Sequence, residues 1–186
     1  DINKNNDYEF VTGCKGFNSV GCQVMLWDLR NTSQPIYNGT GHTQDVTSCK
    51  FIYPEYNSGV SDTNASSVYV ASCCKDGSIK LWDTAACSNS NAADHEVGSL
   101  TTSKNYTSLA QLWNYGAAGN TYPNTEVSTS ENAYKQSHPY ASFCVGSFDG
   151  SLQTVNIMKG GDIHEVTLEV NEATPPKFMP EEDDNN

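Results

Sequence analysis

Three stretches of the chain repeat one pattern: a run rich in β-branched and aromatic residues, a polar turn, and a second short run. They occupy residues 8–28, 68–83 and 141–156. The second and third align without a gap, and each carries an Asp-Gly pair at the same place, Asp76-Gly77 and Asp149-Gly150. Asp-Gly tolerates the positive φ angles that a tight hairpin turn needs. Each repeat therefore predicts a β-hairpin.

The rest of the chain also favours strands. Apolar residues do not recur at helical spacing, and the one ambiguous window, residues 106–113, alternates well enough to be a strand. We therefore predict an all-β protein with strands at 8–14, 23–28, 34–38, 46–52, 68–74, 78–83, 95–101, 106–113, 140–147, 151–157 and 163–170. Residues 171–186 are rich in acidic residues and predict a flexible, solvated C-terminal tail.

Composition excludes several classes of partner. Ten Lys and Arg residues against 22 Asp and Glu give a net charge of −12, the wrong sign for binding nucleic-acid phosphates or anionic lipids. No apolar run reaches the roughly 18 to 20 residues that a membrane span needs. The seven cysteines are odd in number and lie largely in strand-like runs, so we expect them to be reduced and the protein to be intracellular, cytoplasmic or nuclear.

One group of residues has the composition of a catalytic triad. His42, Ser72 and Asp76 supply a base, a nucleophile and an acid. However, no Gly-x-Ser-x-Gly elbow surrounds Ser72, and no glycine-rich phosphate loop occurs. The remaining histidines have no second His or Cys at a metal-ligand spacing. The sequence predicts neither catalytic residues nor a metal or cofactor.

The middle repeat resembles a WD (tryptophan-aspartate) repeat. It opens with Gly41-His42 and closes with Trp82-Asp83, a separation that matches the 40 to 45 residues of one such blade. Trp27-Asp28 closes a preceding unit. The third unit keeps its Asp-Gly turn but has Val155-Asn156 in place of Trp-Asp, so it is a degenerate repeat.

This resemblance implies a partial β-propeller of about three four-stranded antiparallel blades, whose strands run a to d from the inside outwards. The first blade would supply strands b, c and d, and two further blades would occupy about 42–101 and 106–170. Propellers close with roughly four to eight blades. We therefore expect this chain to be the C-terminal part of a larger ring, with upstream blades in the same or another chain.

The resemblance also implies a structural role for the triad-like residues. In WD-repeat proteins the matched positions form a hydrogen-bonded relay, in which Trp82 would bond Ser72, Ser72 would bond His42, and His42 would bond Asp76. An unpaired indole N–H, hydroxyl or imidazole buried between sheets costs about 1 to 3 kcal/mol, and one relay satisfies them all. We interpret these residues as structural.

The function that the resemblance implies is a non-catalytic scaffold that mediates protein–protein interactions within a multiprotein complex. The alternative is a substrate receptor of a cullin-type ubiquitin ligase, because Trp27-Asp28-Leu29-Arg30 matches the Trp-Asp-x-Arg ending of such receptors. The acidic residue expected in the preceding turn is not evident at residues 15–18. The candidate partner-binding residues are Asp28, Arg30, Asp45, Tyr115, Tyr122 and Tyr134.

Overall fold

The computed structural model describes residues 1–53, 68–84, 96–112, 141–160 and 165–173. Within these ranges the chain forms strands and no helix, so none of the described residues could cross a membrane as a helix. The strands are β1 (Glu9–Gly13), β2 (Val24–Asp28), β3 (Tyr37–Gly39), β4 (Val46–Ile52), β5 (Tyr69–Cys74), β6 (Ser78–Asp83), β7 (Glu96–Thr101), β8 (Tyr106–Leu112), β9 (Ala141–Ser147), β10 (Leu152–Gly160) and β11 (Glu165–Ala173). The predicted all-β class is confirmed.

The strands form three antiparallel sheets, each built from consecutive segments of the chain. Blade 1 has the order β1-β2-β3, blade 2 the order β4-β5-β6-β7, and blade 3 the order β8-β9-β10-β11. This arrangement confirms the predicted partial propeller. The last strand ends later than predicted, because β11 continues to Ala173 and so includes the first three residues of the predicted C-terminal tail.

The Asp-Gly turns form as the sequence predicts. Gly77 and Gly150 have φ angles of 82° and 80°, and each donates its N–H back across the turn to the carbonyl oxygen of Cys74 or Ser147. A Cβ at Gly77 would lie 2.2 Å from the carbonyl oxygen of Thr102, whereas one at Gly150 would meet nothing within 4 Å. Of these two glycines, only Gly77 is therefore too close to a neighbouring loop to carry a side chain without a collision.

Hydrophobic side chains fill the spaces between adjacent sheets. The cluster between blades 1 and 2 consists of Val11, Val24, Leu26, Tyr37, Val46, Phe51, Tyr53, Val68, Val70 and Trp82. The cluster between blades 2 and 3 consists of Ile52, Tyr69, Ala71, Cys73, Ile79, Leu81, Tyr106, Leu109, Ala141, Phe143, Val145, Val155 and Ile157. Blade 2 is buried on both faces, which explains why all six residues of β5 are buried.

Blade 1 has a partial inner edge that the sequence did not reveal. Asp1 and Val11 exchange backbone hydrogen bonds, and the N–H of Asn3 donates to the carbonyl oxygen of Glu9 at 2.9 Å. Residues 1–3 thus run antiparallel to β1 on the side opposite β2. The Asp1 carboxylate accepts the N–H of Phe51 at 3.1 Å, which ties this edge to blade 2.

Candidate functional site

Five side chains form one buried hydrogen-bonded relay in blade 2. The indole Nε1 of Trp82 lies 2.9 Å from Ser72 Oγ, which lies 2.8 Å from His42 Nε2. The other ring nitrogen, Nδ1, lies 2.7 Å from Ser78 Oγ, and that hydroxyl lies 2.5 Å from Asp76 Oδ1. The structure therefore brings together all four residues named for the relay and adds Ser78 as a fifth.

The direct bond from His42 to Asp76 that the resemblance implied is not made. His42 Nδ1 lies 3.9 Å from the nearer carboxylate oxygen, beyond hydrogen-bonding distance. The Ser78 hydroxyl bridges the gap instead. Because the pattern Asp-Gly-Ser recurs at 76–78 and 149–151, the repeat itself carried a signal for this serine.

Only one proton arrangement satisfies every bond of the relay. The indole N–H can only donate, and an ionised carboxylate can only accept. Trp82 therefore donates to Ser72, Ser72 to His42 Nε2, His42 Nδ1–H to Ser78, and Ser78 to Asp76. The histidine is neutral in this arrangement, with its proton on Nδ1.

Backbone geometry positions the five residues. Ser72 lies in the middle of β5, and Trp82 on β6 pairs with Val70, two residues away, so the indole and the hydroxyl lie on the same face of the sheet. Asp76 lies in the turn between these strands, and His42 lies in the loop that connects blade 1 to blade 2. Thr43 donates both its N–H and its hydroxyl to Asp76, so the turn and the loop are joined.

The electrostatics favour the same protonation states. Burial lowers the pKa of His42 to about 4, although the negative charge of Asp76 acts in the opposite direction. Burial alone would raise the pKa of Asp76, but the hydrogen bonds from Ser78 and Thr43 outweigh it and hold that pKa well below the usual range. A neutral imidazole beside an ionised carboxylate is therefore the stable state at neutral pH.

This cluster does not have the geometry of an accessible catalytic site. The exposed fractions of Ser72 and His42 are 0% and 1%, so a substrate cannot reach the hydroxyl. Cys74 Sγ offers a third potential metal-ligand atom, and the three atoms from His42, Cys74 and Asp76 lie within 4.8 Å of one another. Both ring nitrogens of the histidine already bond serine hydroxyls, and burial raises the pKa of Cys74 to about 12, which disfavours the thiolate that binds metals.

The other two blades carry reduced forms of the relay. In blade 1, the Trp27 indole donates to Thr12 Oγ1 at 2.9 Å, with both side chains half-buried. In blade 3, Val155 and Val145 occupy the positions of Trp82 and Ser72. The core of this blade instead contains a buried hydrogen bond from the Tyr106 hydroxyl to the Gln153 side-chain oxygen. The complete relay is therefore specific to blade 2 among the described residues.

Asp28 and Arg30 form an exposed pair just after β2. The guanidinium donates from Nε and Nη2 to the Asp28 carboxylate, and it lies over the Tyr8 ring at 4.8 Å. The side-chain hydrogen bond from Arg30 lowers the pKa of Asp28 to about 2. The Arg30 side chain is 62% exposed, so the pair lies on the surface with its charges largely satisfied internally.

Asp45 lies in the loop between β3 and β4, on the edge of the blades (the rim) opposite to the one that carries Asp28 and Arg30. It holds the neighbouring loops together. Its carboxylate accepts the backbone N–H of Gly16 at 3.0 Å and the ammonium of Lys75 at 2.6 Å. The other candidate partner-binding residues, Tyr115, Tyr122 and Tyr134, lie outside the described residues. The structure does not bring Asp45 together with Asp28 and Arg30, because the loops that carry them are at opposite ends of the strands of blade 1.

Comparison with known proteins agrees with this architecture. Residues 33–83, from the approach to β3 to the end of β6, match the model of the WD domain, G-beta repeat. The fold is similar to that in the crystal structure of Saccharomyces cerevisiae Sqt1, with a TM-score of 0.52 at 15% identity over 95% of this chain. The chain spans 38% of the length of that protein. Together with the three blade-like sheets and the Trp-Ser-His-Asp cluster, these matches show a WD repeat at residues 33–83 and the fold of a partial WD-repeat β-propeller.

Proposed function

We propose that this chain is a non-catalytic scaffold that binds other proteins within a multiprotein complex. The observation that carries the proposal is the burial of Ser72 and His42, the residues best suited to catalysis. Every hydrogen-bonding group of the relay has an internal partner, which is what a structural network requires. A rigid frame with exposed connecting loops favours binding as the activity.

The charge of the chain restricts the class of partner. With a net charge of −12, the protein would attract basic protein surfaces and repel nucleic acid and anionic membranes. The described cysteines Cys14, Cys22, Cys49, Cys73, Cys74 and Cys144 are free thiols, which supports our proposal of a reducing intracellular compartment, the cytoplasm or the nucleus.

We further propose that additional blades complete the ring around this chain. Three sheets are fewer than the roughly four to eight blades of a closed propeller. Residues 1–3 pair with the inner edge of β1 in the antiparallel orientation that an a strand would take. Such blades would belong to the same polypeptide or to another chain.

The ubiquitin-ligase alternative receives less support from the geometry. Arg30 directs its guanidinium to Asp28 and Tyr8 rather than presenting it unpaired. An adaptor would have to displace these contacts. If the alternative were correct, replacing both Arg30 and Asp28 with Ala would abolish capture of the ligase adaptor in a pull-down.

Native purification tests the scaffold proposal. The full-length protein would be purified from its source at physiological salt, and the mass of the eluted particle would be measured by light scattering. We expect a particle larger than the protein alone, with other proteins present at fixed stoichiometry after chemical cross-linking. Elution of the protein alone at every concentration tested would contradict a scaffold role.

A further inference from the structure

The connection between β1 and β2 presents two large hydrophobic side chains to solvent. Phe17 and Val20 are 78% and 76% exposed. They exchange two backbone hydrogen bonds of 3.0 Å across a two-residue turn, so they face each other as a bridged antiparallel pair. Side chains of such a pair lie on the same side of the hairpin. The turn therefore displays a single apolar tip.

The turn that forms this tip has an unfavourable backbone conformation. Asn18 and Ser19 have φ angles of 51° and 63°, the left-handed region that a type I′ turn requires at both central residues. Asparagine tolerates this region, but serine does so at a cost, and such strain concentrates at sites of binding. Gly16 supports the turn from beneath, where a Cβ would lie 2.2 Å from the carbonyl oxygen of Val20.

Two hydrogen bonds tie the tip to the rest of the molecule. The N–H of Ser19 donates to the carbonyl oxygen of Thr43 at 3.0 Å, and Gly16 donates to the Asp45 carboxylate at the same distance. Both acceptors lie in the loop between blades 1 and 2, next to His42 of the relay. An apolar group fixed in this way loses little conformational freedom on binding, which raises the affinity that it can supply.

The charges around the tip favour one kind of partner. The nearest acidic residues are engaged internally, Asp45 by Lys75 and Asp76 by Thr43 and Ser78. Lys15 is exposed at the base of the hairpin and makes no direct salt bridge with a described residue, although its charge helps to lower the pKa of Asp45. A hydrophobic tip beside an exposed cation is locally complementary to an apolar pocket bordered by carboxylates, although the chain as a whole carries a net charge of −12.

We propose that the Phe17–Val20 tip is a docking site that inserts into an apolar pocket of a protein partner, with Lys15 pairing with a carboxylate at the border of that pocket. This inference rests on the proposed scaffold function and names the surface through which it operates. Two adjacent hydrophobic side chains at the centre of an interface can each contribute as hot spots, whereas the surrounding contacts contribute little.

Photocross-linking of the full-length protein in its source cells tests the site. p-Benzoylphenylalanine would replace Phe17 in one sample and Leu29 in another. Leu29 is a matched control because it is 54% exposed but lies on the opposite rim, in the connection after β2. We expect a cross-linked protein from position 17 and none from position 29, with apolar residues and an Asp or Glu in the cross-linked peptide.

The captured protein would then be titrated against full-length variants that unfold at the wild-type temperature. We expect the double variant Phe17→Ser/Val20→Ser to bind at least about 30-fold more weakly, which is the effect of losing one hot-spot residue. Adding Lys15→Glu to this double variant should weaken binding further. Leu29→Ser should bind as the wild type does. Unchanged binding by the double variant, or cross-linking of position 17 to nucleic acid or to a second copy of the chain, would overturn the proposed site.

The outcomes separate the site from the scaffold function. Partners that co-purify but cross-link only elsewhere would overturn the docking site and leave the scaffold function intact. A wild-type protein that co-purifies with no partner would overturn both.

Discussion

Trp82 donates its indole N–H to the hydroxyl of Ser72 at 2.9 Å, within a sheet whose side chains pack against neighbouring sheets on both faces. This bond is the first step of a relay that ends at Asp76 in the turn between their strands. The relay joins the hairpin of blade 2 to the loop that enters from blade 1. It therefore stabilises the geometry of the rim on which the Phe17–Val20 tip is mounted.

Substitution of Ser72 by Ala should destabilise the protein by about 1 to 3 kcal/mol, because the Trp82 indole and one His42 nitrogen lose their buried partners. Chemical denaturation measures this change. Thr12→Ala is the matched control, since it removes the equivalent bond to Trp27 at a half-exposed site where water can replace it. An equal loss in both variants would contradict the burial argument.

Acidification should destabilise the protein through His42. Its folded pKa of about 4 lies below the unfolded value near 6.5, so the unfolded state binds the proton first as the pH falls. The contribution of neutral His42 to the free energy of unfolding is fully present above about pH 6.5. It is lost progressively as the pH falls towards 4, and the total loss is about 3 kcal/mol. Denaturation of the wild type and His42→Gln at pH 7 and pH 5 tests this, because the lowered carboxylate pKa values contribute only at lower pH. If the free energy of unfolding changed by the same amount between pH 7 and pH 5 in the wild type and in His42→Gln, the pH dependence could not be assigned to His42.

The two Asp-Gly turns should respond differently to a methyl group. Gly77→Ala and Gly150→Ala both force a non-glycine residue to a φ near 80°, which costs about 1 kcal/mol. Gly77→Ala should cost more, because its Cβ would also collide with the Thr102 carbonyl oxygen. Urea denaturation of the two variants compares them directly. Equal unfolding free energies would show that the Thr102 loop moves away freely.

Relief of strain at the hairpin tip should stabilise the fold. Ser19→Gly removes the left-handed penalty at a φ of 63° and should raise the free energy of unfolding by up to about 1 kcal/mol. Asn18→Gly should gain less, because asparagine already tolerates this region. Thermal denaturation would rank the two variants. A loss of stability in Ser19→Gly would show that the serine side chain contributes more than its strain costs.

Much of the fold was predictable because short-range chemistry specifies it. The Asp-Gly pairs at 76–77 and 149–150 determine where the two hairpin turns form. The segments on either side of each turn form strands whose bounds are close to the predicted ones. The clustering of His42, Ser72, Asp76 and Trp82 was predictable only through the resemblance to WD repeats. Spacing alone does not show that a histidine 30 residues before Ser72 will bond it.

The missed features depend on three-dimensional contacts. The repeated Asp-Gly-Ser pattern marks Ser78, but only the structure shows that the imidazole lies about 1 Å too far from the carboxylate to bond it directly, so that Ser78 bridges the two. Residues 1–3 are too short to show strand periodicity, yet they pair with β1. The pair Asn18-Ser19 is a weak turn signal, so the exposed tip emerged only from its measured φ angles and burial.

The most direct test of the central claim is a measurement of the protonation state of His42 by nitrogen-15 NMR at pH 7. A structural relay requires a neutral imidazole with its proton on Nδ1, donating to Ser78, and accepting from Ser72 at Nε2. The account predicts this tautomer, unchanged from pH 7 to pH 5. An imidazolium at pH 7, or a proton on Nε2, would contradict the relay and with it the structural role assigned to Ser72 and Asp76.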